Sequence, residues 1–304
     1  MSGGAGRVPT IPMARRRPAT VHGVCVVDKP AGVTSHDVVG LLRKRFGERQ
    51  VGHAGTLDPS ATGVLVVGVG MATKLLRFVE ATTKRYTGEV VLGVETDSLD
   101  ADGVVTATHD MSGVGLDDAR RVVAEHLTGE IEQIPPMVSA IKVGGRRLHE
   151  LAREGIEVER APRRVTVHRF MVDAGPEPDV LVIDVECSPG TYVRTLAADL
   201  GRMLGGGAHL RNLRRTAVGE LVIDDAGAPD ECELLPVEVA VRGLARVDID
   251  DVTATLVSNG RVLPRFDGDG PWALFSDSTL VAVYEPFRDT EAKPSVVLPT
   301  ATRG

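Results

Sequence analysis

Residues 52–63 read GHAGTLDPSATG and run directly into VLVVGV at 64–69. The second stretch is continuously apolar and β-branched, which predicts a short buried strand. The first is punctuated by Gly52, Gly55 and Gly63 and predicts a loop that feeds it. Working outward, VCVV at 24–27 predicts another buried strand, stopped by Lys29-Pro30 and Gly32. A helix follows, capped by Thr34 or Ser35, with Val38, Leu41, Leu42 and Phe46 at helical spacing and Gly47 ending it. Downstream, Thr73 opens a helix with Leu75, Leu76 and Val79 inward. Residues 85–94 then read as a strand, with 104–108 as its hairpin partner.

Between those two strands lies DSLDADG, 97–103, which superficially resembles a calcium loop. With Gly103 at the sharp turn, the first ligand position is Ser98 and the last is His109, so the pattern fails at both ends. A solvated hairpin turn is expected instead. Farther on, 117–127 predicts an amphipathic helix closed by Gly129, and Pro135-Pro136 forces extended chain. Residues 181–185 predict a strand. After the turn Ser188-Pro189-Gly190, Thr191 leads a helix with Leu196, Leu200, Met203 and Leu204 on one side, broken at 205–207. Strands and helices alternate irregularly, with hairpin-like spacing. The expected fold class is therefore α+β, with a mixed, largely antiparallel sheet and flanking helices. From about Ala228 the chain turns acidic, with short β-like runs at 253–257, 272–275, 280–284 and 296–298. These readings divide the chain into a mobile tail at 1–20, a main domain at 21–234 and a small β-rich domain at 235–304.

The chain has 304 residues, 42% of them hydrophobic and 25% charged, enough apolar material for one large core or two domains. No apolar run approaches the ~18 residues of a membrane span. The first twenty residues carry Arg7, Arg15, Arg16 and Arg17 but no apolar segment of the kind a secretory signal needs. Cys25, Cys187 and Cys232 are far apart and odd in number, which suits a reducing cytoplasm and disfavours structural zinc. Net charge is −7, yet its distribution is uneven. Residues 221–304 carry a balance of −8 and residues 1–220 a balance of +1. The stretch 201–219 holds Arg202, Arg211, Arg214 and Arg215 with no carboxylate, and such a patch can meet phosphates. A second basic cluster, from Lys142 to Arg164, is diluted by Glu150, Glu154, Glu157 and Glu159.

Three segments can carry chemistry. Asp58 precedes Pro59, which biases its backbone toward extended conformations, and stands on a glycine-rich loop near His53. It can act as nucleophile, general base or helix cap, or merely start a turn. Lys84-Arg85-Tyr86 sets an aromatic ring beside positive charge, where it can stack on a base or pack a sheet edge. Arg194, at a turn-to-helix junction, can pair a carboxylate, clamp a phosphate or lie on the surface.

Taken together, GHAGTLDPSATG, DKPAGVTSHDVV (28–39), KRYTG (84–88), LTGEIEQIPPMVSAIKVGG (127–145) and GTYVRTLAADLG (190–201) resemble the TruB-type tRNA pseudouridine synthases. The resemblance runs from about residue 23 to 218, with five motifs in the family's order. His149 departs from it, standing where the family usually carries Tyr. The resemblance implies a pseudouridine synthase catalytic fold with a PUA-like C-terminal module, and a reaction with no cofactor and no metal. Its substrate is implied to be uridine 55 in the T-arm loop of tRNA, with the acceptor stem touched by the C-terminal module. Asp58 is implied as the catalytic aspartate, Tyr86 as the ring that stacks on the target base, and Arg194 as the ion-pair partner of Asp58. His53 is implied to hold the target out of the RNA loop. Tyr192 and Leu213 are implied to line the pocket, with Lys29 and Pro30 shaping its floor. Arg202, Arg211, Arg214 and Arg215 are expected along the RNA backbone, and a monomer is expected. Competing readings are an RNA chaperone with the fold but no chemistry, a small-molecule hydrolase with an aspartate nucleophile, and a related synthase acting on a different RNA.

Overall fold

The computed structural model describes residues 18–139 and 142–299. Most of the basic tail, including Arg7, Arg15, Arg16 and Arg17, lies outside the described residues, as does the side chain of His149. In chain order the elements are β1 (Gly23–Lys29), α1 (Ser35–Phe46), β2 (Val51–Ala54), β3 (Thr62–Val69), α2 (Leu76–Glu80), β4 (Lys84–Leu92), β5 (Val94–Thr96), β6 (Val105–Thr108), α3 (Leu116–His126) and β7 (Gly129–Gln133). They continue with β8 (Lys142–Val143), β9 (Arg146–Arg147), α4 (Leu148–Arg153), β10 (Arg163–Ala174), β11 (Val180–Cys187), α5 (Val193–Met203), β12 (Ala208–Val218) and β13 (Leu221–Val222). The last part holds β14 (Ala245–Asp248), α6 (Asp251–Ser258), β15 (Leu263–Pro264), β16 (Trp272–Ser276), β17 (Thr279–Phe287) and β18 (Glu291–Val297).

The main sheet runs β1-β3-β12-β4-β11-β10-β7, with β2 added to β3 and β13 to β12. Every described pairing in it is antiparallel except β12 with β3. A second sheet runs β14-β16-β17-β18-β15, again antiparallel except for one parallel pair. This is the mixed, largely antiparallel α+β architecture expected from the sequence. No helix among the described residues is long and apolar enough to cross a membrane.

The parallel β12–β3 contact brings Arg215 against Gly63, and it requires glycine there. A Cβ at Gly63, whose φ is +97°, would lie 2.2 Å from the Arg215 carbonyl oxygen. Helix α1 is set by a reciprocal cap. Thr34, and not Ser35, is the capping residue: its hydroxyl accepts from the Asp37 amide at 3.0 Å, and the Asp37 carboxylate accepts from the Thr34 amide at 2.8 Å. Gly47 ends the helix in the left-handed region.

Several expectations are corrected. The segment 52–63 is not all loop, because 51–54 pairs with β3 and leaves 55–61 as the connection. A 3-10 turn at Gly70–Lys74 precedes α2, so Thr73 does not open that helix. Leu41 and Met203 lie exposed, on the outer edges of their helices. Residues 253–257 are helix, not strand. The Asp250 carboxylate accepts from the Thr253 amide at 2.7 Å, and this cap overrides the β-branched composition. Strands β10 and β12 lacked a clear sequence signal, since charged residues interrupt both.

Candidate active site

The Asp58 loop hangs from four elements. Ser35, at the start of α1, donates its hydroxyl to the Leu57 carbonyl at 3.1 Å and accepts from the Leu57 amide at 3.0 Å, all in the interior. Lys29, at the end of β1, is fully buried and donates to the carbonyls of Pro30, Val33 and Pro59 at 2.9, 2.8 and 3.1 Å. Arg215 on β12 donates to the carbonyls of Gly55 and Val64 at 3.0 and 2.7 Å. Arg194 on α5 closes the set through Asp58 itself.

Arg194 is 5% exposed, and its partners come from three separate segments, at Asp58, Ser98–Asp100 and Val138. One terminal nitrogen lies 3.1 Å from the Asp58 carboxylate and donates to the Val138 carbonyl at 2.9 Å. The other lies 3.1 Å from the Asp100 carboxylate and donates to the Ser98 carbonyl at 2.9 Å. A planar guanidinium is suited to hold two carboxylates at a fixed separation in this way. The start of α5 is held in turn by Gln133. Its side-chain amide accepts from the Tyr192 amide at 3.0 Å and donates to the Tyr192 carbonyl at 3.3 Å.

Beside the pair lies a cavity of about 330 Å³, within the range of ligand sites. Asp58, Lys84, Tyr86, Tyr192, Arg194, Leu213 and Arg215 are among its walls. Tyr86 and Leu213 stand where the core between β4, β10, β11 and α5 meets the core between β1, β3 and α1. The site thus occupies a seam between two packed regions. A smaller recess of about 180 Å³ shares Asp58, Arg194 and Leu213 and is also walled by Asp100, Asp102 and Asn212.

Burial pushes the Asp58 carboxyl above its ordinary range. Arg194 pulls it down, Asp100 and Asp102 push it up, and Lys29 pulls it down. Arg194 therefore moderates the effect of desolvation without overcoming it. The Tyr86 hydroxyl is likewise pushed up, first by burial, with Arg215 opposing.

Asp58, Tyr86, Arg194, Tyr192 and Leu213 come together as the sequence suggested. Lys29 and Pro30 do not line the cavity. Lys29 sits beneath the Asp58 loop, and Pro30 is exposed while its carbonyl binds Lys29. His53 is also absent from the cavity walls. It stands on β2, edge-on to His36 at 5.5 Å between ring centroids, and its buried Nδ1 has no hydrogen-bond partner among the described residues.

Of the four arginines expected on an RNA backbone, one is buried and three are partly exposed and ion-paired. Arg215 is 1% exposed and braces the loop, so it is no phosphate contact. Arg214 donates to both oxygens of Asp28, Arg211 lies between Glu89 and Glu177, and Arg202 pairs with Asp199. Except for Asp199, one turn back on α5, these acids come from other segments, which the local sequence around 201–219 does not display.

Asp100 was missed. The 97–103 segment is the expected hairpin turn, exposed at Asp97, Ala101 and Asp102 but anchored elsewhere. Ser98 is buried, Leu99 and Ala101 bond to Leu210 of β12, and the Asp100 carboxylate reaches Arg194. The signal is the acid-rich DSLDADG itself, whose Asp100 carboxylate faces a guanidinium.

A family model described as TruB family pseudouridylate synthase, N-terminal domain, matches residues 43–193. A second, the tRNA pseudouridylate synthase B C-terminal domain, matches residues 194–230. The tRNA pseudouridine synthase B of Arthrobacter sp. (strain FB24) is 46% identical over 86% of this chain and 92% of its own length. That of Mycobacterium sp. (strain KMS) is 46% identical over 92% of this chain and 97% of its own. Among solved structures, a chain in a Cbf5-Nop10-Gar1 complex superposes with a TM-score of 0.69 and 25% identity, covering 91% of this chain and 84% of that one.

Proposed function

The chain belongs to the TruB family of pseudouridylate synthases, and from that premise we propose that it isomerises uridine 55 in the T-arm loop of tRNA, with Asp58 as the catalytic carboxylate. The observation that carries this reading is the Asp58–Arg194 contact of 3.1 Å at a cavity walled by an aromatic ring.

Pseudouridine formation breaks the bond from ribose C1′ to N1 of uracil, turns the base and joins C1′ to C5. No group is gained and nothing is oxidised overall. One carboxylate at the sugar–base junction and a dry recess for the turning base are what the chemistry requires. Asp58 supplies the first. Arg194 keeps its carboxylate oriented and favours the ionised form against burial. Asp100 fixes the other edge of the guanidinium, so Arg194 cannot swing away when substrate enters. Extruding the nucleotide costs a few kcal/mol, and stacking on Tyr86 returns roughly 1–3 kcal/mol. Asp58 can attack C1′, attack C6 of the base, or take a proton from the ribose to give a glycal. All three routes use a carboxylate in nearly the same place.

The test is to incubate the purified protein with unmodified tRNA and map pseudouridine at nucleotide resolution. Product at position 55 alone, lost in Asp58→Asn while tRNA affinity stays within about tenfold (~1.4 kcal/mol), is the expected result. Turnover near wild type in Asp58→Asn removes Asp58 from the mechanism. Product at another position redirects the substrate assignment.

A further inference from the structure

Lys84 opens β4 two residues before Tyr86, so both side chains stand on the same face of the strand and wall the same cavity. It is 6% exposed. Its ammonium donates to the carbonyls of Glu80 and Thr82, the latter at 2.6 Å. An ammonium carries three N–H donors, and the third has no acceptor among the described residues. No carboxylate among them lies within ion-pair distance either. Arg215 on β12, Glu80 at the end of α2 and Cys187 on β11 act on its charge, and Tyr86, Asp58, Tyr192 and Arg194 share its cavity. A buried cation beside a second cation, with no paired anion, is expensive to maintain. Burial and Arg215 together lower its pKa to about 8. Clefts that hold such groups are where function is found more often than chance predicts.

We propose that Lys84 is a further catalytic residue of this reaction, its unfilled N–H meeting a carbonyl oxygen of the extruded uracil and stabilising the negative charge the base acquires. The inference rests on the reading of Asp58 given above. When C1′–N1 breaks, by attack of Asp58 at C1′ or by loss of a ribose proton to give a glycal, the bonding electron pair leaves on N1 and is shared with O2 and O4. When Asp58 instead attacks C6, the ring pair moves onto O4 as an enolate. In each route the charge is discharged later: C5 bonds to C1′ as Asp58 leaves C1′ or C6, or hands its proton back to C2′ of the glycal, the C5 proton departs and N1 takes up a proton. A cation at the recess wall therefore serves all three.

The experiment compares the full-length wild type with Lys84→Met and Lys84→Arg. It measures single-turnover rate from pH 6 to 10, tRNA affinity and thermal unfolding. The wild-type rate is expected to fall as pH rises above about 8, because the protonated amine is then lost. Neither Cys187, pushed up to about 11, nor Tyr86, raised above its ordinary value, titrates in that window. Lys84→Met should lose at least about a hundredfold in rate, with tRNA affinity within about threefold and no loss of thermal stability. Lys84→Arg, charged throughout, should keep measurable turnover and show no decline near pH 8. The proposal is overturned by a Lys84→Met rate within about threefold of wild type. It is also overturned by an alkaline decline near pH 8 that persists in Lys84→Arg, or by Lys84→Met losing stability and affinity together with rate. A wild type that makes no pseudouridine in tRNA sinks the underlying reading, and this inference with it, before any variant is compared.

Discussion

Asp58 is held in a state its surroundings disfavour. In the unfolded chain its pKa is close to 3.8, and in the fold burial raises it. Between those two values the native protein keeps a proton that the unfolded chain has lost, so stability falls as pH rises through the window. Above it, ionised Asp58 is a standing cost to the fold, reduced by solvent because over a third of the side chain is exposed. On the proposed mechanism activity follows the opposite sign: it needs the anion and should be lost as pH drops through the raised pKa. Asp58→Asn should therefore abolish turnover while leaving Tm unchanged or higher by no more than about 2 °C. Arg194 stays satisfied in that variant through Asp100, Ser98 and Val138. Scanning calorimetry at pH 7 checks this, and a fall of several degrees would show that the carboxylate holds the loop in place. Asp58, Tyr86 and Arg194 were legible in the sequence because each stands in a distinctive motif. Asp100 was not, because its role depends on a contact with a residue 94 positions away.

At the scale of elements, the start of α1 has two duties that the sequence could not separate. Thr34 caps the helix, and Ser35 clasps the backbone of Leu57, the residue before Asp58. Ser35→Ala leaves a buried amide and a buried carbonyl without partners. The expected cost is about 1–3 kcal/mol of stability, with kcat down about ten- to a hundredfold as the loop shifts. Thr34→Ala should cost about 1 kcal/mol and spare kcat, because Leu57 keeps both bonds. Urea unfolding alongside turnover assays distinguishes the two. Equal kcat in both variants would mean that the clasp does not position Asp58. Apolar strands such as β1 and β3 were readable because burial on both faces leaves an unbroken hydrophobic run. Strand β12 was not, because its Arg211, Arg214 and Arg215 find their acceptors in distant segments. Its basic character is consumed by the fold and is not offered whole to RNA. In α6, one local aspartate cap outweighs four β-branched residues.

For the whole molecule, the acidic C-terminal part is a structural partner of the main sheet. Val24 and Val26 of β1, Phe78 of α2 and Val218 of β12 share one core with Val239–Val241, Phe275, Leu280 and Val283. Backbone bonds join Val24 to Leu235 at 2.9 and 2.8 Å, and Arg77 meets Glu285 at 3.0 Å across the same boundary. Each large apolar side chain uncovered costs about 1.5–3 kcal/mol, so uncovering four or five consumes the 5–15 kcal/mol that typically holds a protein folded. Two sheets visible in the composition therefore need not be two folding units. Calorimetry of the intact chain should show one cooperative transition. A chain ending at residue 235 should aggregate or bind hydrophobic dyes, and should lack turnover although every proposed catalytic residue is present. A monomeric, active 1–235 fragment, or two resolved transitions in the intact protein, would instead make the C-terminal sheet an independent module. The shared core would then contribute little to folding, and the geometry around Asp58 would be set by the main sheet alone.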